Sequence, residues 1–237
     1  MTGQISDPSH QNFVHMFIVY EGPSELNGEP IKAIITTLST NKKTGPMDQL
    51  WILPKDSPLE AIKNGKDAAV CGDCKFRGGA CYVDLSRAPN NIHKTHEKGH
   101  KYKALPKNYR PALGLRFGAY GDLAALPEWV ISDLLKLSEN GHTSYTHQWK
   151  KYDFQAHSMA SVDNSEERKE AKAKGYRTFR VMKHSEKPEA GEILCPHYTR
   201  GVMCFQCGLC NGNKTKAKDI AVYVHGSKHR IKKFEEL

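Results

Sequence analysis

The sequence predicts an α/β protein, a parallel sheet or partial (β/α) barrel carrying cysteine-rich metal-binding loops. Three observations lead there. From residue 113 onward, apolar β-branched runs alternate with segments of helical period, the pattern of strands joined by right-handed crossovers. The connections are short and punctuated by Gly, Asn and Asp, which favour turns and helix ends. The chain of 237 residues, 38% hydrophobic and 26% charged, has material for a buried core without disulfide staples.

In chain order, the first dozen residues are polar and expected to fray. Residues 31–38 (IKAIITTL) are rich in β-branched side chains and read as a strand; 39–47 form a Lys/Gly/Pro loop and 49–53 a second strand. Ser57 as N-cap, Pro58 in the first turn and Gly65 as a stop frame a short helix. LGLRFGAYGD is a strand running into a Gly-rich turn. Residues 127–139 (PEWVISDLLKLSE) place Val130, Ile131, Leu134, Leu135 and Leu137 at helical spacing. Strands follow at 142–146 and 158–162, and then a helix, SEERKEAKAK, capped by Asp163 or Asn164 and closed by Gly175. Further strands are expected at 177–182, 192–194 and 220–224. Residues 1–110 thus hold the N-terminal strands, a helix and the first cysteines, and 111–237 hold the βα repeat and the second cysteines, integrated in one domain.

Parallel α/β folds bind ligands where strand carboxyl ends converge. Here those ends carry Tyr120, Gly121 and Asp122; Thr146, His147 and Gln148; Ser161 and Asp163; Lys183; and Cys195. Asp122 on its turn can bind a ribose or an ammonium group, or cap the following turn. His147 is a candidate acid or base. Tyr145 and Trp149 can stack on a ligand or close the core.

No run approaches the ~20 apolar residues of a membrane span, and residues 1–10 lack the regions of a signal peptide. No membrane partner and a cytoplasmic location are therefore expected. In a reducing compartment the seven cysteines read as metal or thiol chemistry rather than as disulfides. They fall into two groups, Cys71, Cys74 and Cys81 (CxxCx6C), and Cys195, Cys204, Cys207 and Cys210, where a CxxCxxC run follows a distant first member. Structural zinc takes paired ligands around one ion, whereas CxxCxxC is a local run used around iron-sulfur cubanes. Four thiolates close a cluster; three leave one iron open. For the first group a zinc reading needs a fourth ligand, with His93, His96 or His100 nearest. Gly78 and Gly79 let the backbone fold closely there.

The net charge of +9 concentrates at 93–110, with His93, Lys94, Lys98, Lys101, Lys103, Lys107 and Arg110 against Glu97, and at 214–233. These basic loops suit a nucleic acid or nucleotide-related substrate, or a solvated surface. STNKKTG (39–45) is phosphate-friendly but lacks the P-loop spacing; GxGxxG before a helix, GxSxG and HExxH are missing.

The segments STNKKTGPMDQLWIL, CGDCKFRGGACYV, LRFGAYGDLAALP, GHTSYTHQW, MASVDNSEE, GYRTFRV and LCPHYTRGVMCFQCGLCNG resemble a group of phage and prophage proteins, which implies the host cytoplasm. More distantly, the three-cysteine motif with Tyr82 after its last member, the strand ending in Tyr-Gly-Asp, and the βα repeat resemble radical SAM enzymes. The family's motif is CxxxCxxC and follows the first barrel strand; here the spacing is CxxCx6C, after two strands and a helix. The resemblance implies a [4Fe-4S] cluster on Cys71, Cys74 and Cys81, an auxiliary one on the second group, and S-adenosylmethionine near Gly118, Tyr120, Gly121, Asp122, Ser161 and Asp163. Asp122 and His147 would be catalytic, and an electron donor a partner. The rival expectation is a non-catalytic zinc protein that binds nucleic acid.

Overall fold

The computed structural model describes residues 15–98, 103–214 and 216–236. The expectations for the first dozen residues, for His100 and for Lys101 lie outside them. Strand β1 (Met16–Pro23) pairs antiparallel with β2 (Pro30–Thr36), and β2 pairs antiparallel with β3 (Asp48–Pro54). Helices α1 (Pro58–Asn64), α2 (Ala68–Cys71) and α3 (Ala88–Glu97) follow, and the short β4 (Lys103–Ala104) joins the outer side of β1. Strand β5 (Leu115–Tyr120) lies parallel to β3. Next come a 3-10 turn at Leu123–Ala125, α4 (Glu128–Leu137), β6 (His142–Thr143), β7 (Tyr145–Thr146), β8 (Met159–Val162) and α5 (Ser165–Ala173). The chain continues through β9 (Thr178–Met182), β10 (Glu192–Leu194), α6 (Pro196–Arg200) and α7 (Cys204–Cys207), then β11 (Asp219–Tyr223) and α8 (Lys228–Glu235).

Two sheets result. One runs β4-β1-β2-β3-β5-β6; the other, parallel throughout, runs β7-β8-β9-β11-β10. The class is α/β as the alternation predicts, but β1, β2 and β3 form an antiparallel meander; apart from the short β4 alongside β1, parallel pairing runs from β3 onward. The single strand expected at 142–146 is two, because Ser144 spends its N–H outside both sheets, on the Cys210 carbonyl (2.9 Å), while its carbonyl already accepts from Met159 N of β8 in the second sheet (3.0 Å). Residue 144 is therefore the joint between the sheets.

Local chemistry explains the elements. Ser57 Oγ accepts from Glu60 N and Gly65 ends α1 at φ 78°, as expected of a helix framed by a polar cap and a left-handed glycine. Asn164, not Asp163, caps α5, with Oδ1 accepting from Glu167 N at 2.8 Å. The first core packs Ile34, Ile35, Leu50, Ile52, Leu115 and Phe117 against Val130, Ile131 and Leu134 of α4; each such side chain contributes about 1.5–3 kcal/mol on burial. A second core gathers Met159, Ile220 and Val222 around Cys195 and Cys210. The basic stretch 93–110 is not all loop: it includes the second half of α3, which buries Ile92 and His93, and β4. The basic tail likewise holds α8, which buries Phe234. Among the described residues no helix is long and apolar enough to cross a membrane.

Buried imidazoles make the fold acid-sensitive. His142 is buried, stacks on Phe117 and donates Nε2–H to the His157 carbonyl at 2.9 Å. Burial pushes it down to about 4. Between its unfolded value of about 6.5 and about 4, only the unfolded chain takes up this proton, so stability falls as pH falls, by on the order of 3 kcal/mol. Asp163, raised to about 6 by burial, has the opposite sign over part of that window. The measurement is therefore a comparison of melting temperature from pH 7 to pH 4.5 in wild type and His142→Gln; the variant is expected to show the shallower acid loss.

Candidate metal centres and adjoining cavity

Helix α2 ends on Cys71, and a series of turns carries Cys74 and Cys81 back over the carboxyl ends of β5 and β7. Arg77 clamps the segment: it forks onto Asp67 (Nη2–Oδ1 2.7 Å, Nε–Oδ2 3.0 Å) and donates to the carbonyls of Gly72 and Gly65. Asp122 N donates to the Val70 carbonyl at 2.7 Å and Gln148 Nε2 to the Cys71 carbonyl at 3.3 Å. Cys81 N closes the turn on the Phe76 carbonyl at 2.9 Å. The three thiols therefore reach one cavity of about 340 Å³, which the Gly118, Tyr120, Gly121, Asp122, His147 and Ser161 positions also line.

Burial pushes all three thiols up, Cys74 to about 12, and Cys71 is raised further by the neighbouring Cys81 and Cys74. A nucleophilic cysteine needs the opposite, a thiolate stabilised by a cation or helix N-terminus. Thiols held neutral in a shared cavity suit ligation, where a metal displaces the protons. The Tyr120 hydroxyl is buried in the same cavity wall, beside the Cys71 thiol.

The strand-end residues divide by role. Asp122 is buried and fully engaged: it accepts from Thr146 Oγ1 (2.9 and 3.1 Å), His147 N (2.8 Å) and Ala124 N (3.1 Å). It thus both caps the 3-10 turn and ties β5 to the end of β7. Burial raises Asp122 and lowers His147. The His147 ring lies edge-on to Phe76 and 3.9 Å from Asp163 Oδ1, while Lys75 Nζ pairs with Asp163 Oδ2 at 3.1 Å. Asp163 lines a neighbouring cavity of about 160 Å³ with Lys75, His147 and Ser161, and its Oδ1 has no hydrogen-bond donor among the described residues. Trp149 is core, donating to the Ser161 carbonyl at 3.0 Å, whereas Tyr145 faces the large cavity. Gly118 and Gly121 hold φ 63° and 84°; a Cβ on Gly121 would stand 2.8 Å from Ile52, so β5 can end there only on glycine.

The second cysteine group lies beside the first. Cys195 directly follows β10, its N–H donating to the Ala221 carbonyl at 2.9 Å. Helix α7 carries Cys204 and Cys207 and ends on Gly208 at φ 63°. Cys204 N donates to the Lys43 carbonyl at 3.0 Å, which docks this segment on the 39–47 loop. All four cysteines line one small cavity with His197, Lys43, Tyr145 and Phe179, and Cys204 also lines the 340 Å³ cavity. Burial raises Cys204 and takes Cys210 to about 12. Among the described residues no group of three or more His, Cys, Asp or Glu side chains is drawn around a single-ion position; the thiols stand along cavity walls. His93 and His96 lie on α3 near Lys32 and Glu97 and line neither cysteine cavity. Lys183 is also apart, its Nζ donating to the Glu235 carbonyl.

Sequence reasoning missed Lys43 and Arg116, which line the large cavity with Tyr82, Phe179, His225 and Phe234. The signals were a phosphate-friendly loop and a charge inside an apolar strand. Arg116 Nη2 donates to Tyr82 Oη at 2.9 Å, and Lys43 Nζ stands 5.5 Å over the Tyr198 ring. Burial lowers Lys43, the thiols of Cys195, Cys204 and Cys210 raise it, and Arg116 lowers it. Comparison of the chain with protein-family models, with curated proteins and with solved structures gives no match.

Proposed function

We propose that this chain is an iron-sulfur protein of radical SAM-like type, with an open [4Fe-4S] site on Cys71, Cys74 and Cys81 and a second, four-cysteine site on Cys195, Cys204, Cys207 and Cys210. The observation that carries the reading is the convergence of three thiols and the strand-end residues on one 340 Å³ cavity, with all four remaining thiols in the cavity next to it. Three ligands leave a cubane one free iron, and four close it. When bound, the open cluster supplies one-electron reduction of a ligand held at that iron, for which S-adenosylmethionine is the candidate.

The topology supports the finer fold as well. Pairing from β3 through β5 and β6, and from β7 through β8, β9, β11 and β10, is parallel, and Ser144 alone separates the two runs. We read this as a partial barrel. Strand β3 is then its first member, so the three-cysteine segment follows the first barrel strand after all, with α1 inserted between them. The two strands ahead of it belong to the antiparallel meander.

The chain's own groups then have these tasks. Arg77 holds the cysteine turn closed on Asp67. Asp122 fixes the carboxyl ends of β5 and β7 relative to each other and to α2. The Tyr120 hydroxyl stands against the Cys71 thiol in the cavity wall and can steady that ligand. Lys75, Asp163 and His147 offer a polar wall beside Cys74. Phe234 of α8 packs 5.3 Å from Phe76 and closes the cavity on the side of the first cysteines.

The test is anaerobic reconstitution with iron and sulfide. About eight iron and eight sulfide per chain, with a broad absorbance near about 400 nm, are expected. Colourless protein that retains stoichiometric zinc and takes up no iron would sink the reading.

A further inference from the structure

We propose that Arg116 and Lys43 form the receptor for an oxyanion on a small-molecule substrate, a carboxylate or a phosphate, held in the cavity between the two cysteine groups. This rests on the cavity being the substrate site, as above, but not on which metal the cysteines hold.

Four buried or half-buried arginines of this protein are well saturated with acceptors. Arg77, Arg168, Arg177 and Arg180 each donate three or more hydrogen bonds to carboxylates or carbonyls. Arg116, the second residue of β5, is half-buried, yet among the described residues its guanidinium donates one hydrogen bond, to a neutral phenol. A guanidinium has five N–H donors in a fork matched to a carboxylate or phosphate. Most of that capacity is unspent among the described residues, and Arg116 lines the cavity.

Lys43 repeats the pattern. Its ammonium is half-buried and makes no ion pair with a carboxylate among the described residues, resting instead over the Tyr198 ring. Asn41 Oδ1 accepts from Lys43 N (2.9 Å) and Thr44 N (3.2 Å), and Cys204 N holds the Lys43 carbonyl, so the backbone beneath this lysine is fixed. The two cations repel one another, and Asp122, the one carboxylate that lines the cavity among the described residues, is engaged by three protein donors. Two like charges sharing a partly desolvated cavity are an arrangement that an anion between them relieves. The cavity's 340 Å³ is the size of a small-molecule site rather than of a nucleic-acid groove. Its aromatic lining, Tyr82, Tyr145 and Phe179 among others, suits a planar body attached to the anion.

The competing role for these cations is to offset thiolate charge at the second cysteine group, since Cys204 lies near both. The experiment separates the two. Phenyl phosphate, benzoate and the neutral benzyl alcohol are titrated calorimetrically into wild type, Arg116→Gln, Arg116→Lys and Lys43→Gln, with iron content and visible spectrum recorded on the same samples. In wild type one of the anions is expected to bind at least about tenfold tighter than benzyl alcohol. Phenyl phosphate as the winner identifies a phosphate substrate, benzoate a carboxylate. Arg116→Gln and Lys43→Gln remove that advantage, Arg116→Lys keeps part of it, and iron content stays at the wild-type level. The proposal is overturned if wild type shows no preference for the anions, or if both Gln variants keep the preference. It is equally overturned if they lose iron while anion affinity is unchanged. Should the protein take up no iron at all, the titration reads the same way on the metal-free chain, so the two readings fail separately.

Discussion

Alanine in place of Cys71, Cys74 or Cys81 is expected to halve the iron bound after anaerobic reconstitution, from about eight to about four atoms per chain, and to abolish any cleavage of S-adenosylmethionine. The reason is the separation of the two sites. The first three thiols line the large cavity, and the second four line their own cavity, supported by separate backbone contacts: Cys195 on β11, Cys204 on the 39–47 loop and Cys210 on Ser144. Losing one ligand of the first site therefore leaves the second intact. Alanine at Cys204, Cys207 or Cys210 should give the complementary result, with the first site's iron retained. Iron and sulfide analysis, paired with melting curves, reads this directly. An equal collapse of stability on changing either group would show that both are structural metals folded into the core.

The second large effect is expected far from the cavity. Arg180 on β9 is fully buried and forks onto Glu192 of β10 (Nε–Oε1 3.0 Å, Nη2–Oε2 2.8 Å), while Nη1 reaches Glu186 Oε1 at 3.1 Å and Nη2 the Lys187 carbonyl at 3.1 Å. Arg168 of α5 stands 3.3 Å from the same Glu192 and pairs with Asp219 of β11 at 3.0 Å. Removing Arg180 takes away the fork and leaves the buried Glu192 carboxylate with only the Arg168 ion pair and the Glu189 N–H, a loss of up to about 3–5 kcal/mol, or about 10 °C in melting temperature at this chain length. Arg180→Met is the test, and Arg180→Met combined with Glu192→Met should recover most of the loss, because the penalty lies in the undercompensated charge. If the double variant is as unstable as the single, the network contributes more than charge balance. Since β10 leads straight into Cys195, the single variant should also hold its second-site iron less well.

How legible this was depended on the range of the signal. Ser57, Pro58 and Gly65 announce α1 because capping is local. The 128–137 helix and the strands at β5, β8 and β9 follow from period alone. Strand β1 is not legible although it contains the apolar run FIVY; it begins next to a polar stretch, and a bulge between Ile18 and Tyr20 breaks its alternation. Helix α3 hid behind its lysines and histidines, since the face it buries carries His93 and Asn90 alongside Ile92. The seven cysteines and the strand-end residues could be named because each sits at a motif or an element boundary. The cation pair could not, because Lys43 and Arg116 meet only through folding, one on a loop and one in a strand.

Ser144 sets a rule about chain length. Both of its peptide groups are spent on Cys210 and Met159, and the two residues after it face opposite ways: Tyr145 lines the large cavity, and Thr146, fully buried, donates to Asp122. One residue gained or lost here would exchange those faces, putting the threonine toward the cavity and the tyrosine where the Asp122 bond belongs. Sequences that keep this architecture should therefore tolerate insertions in the turn between β1 and β2, yet preserve the count from His142 to Thr146 without exception.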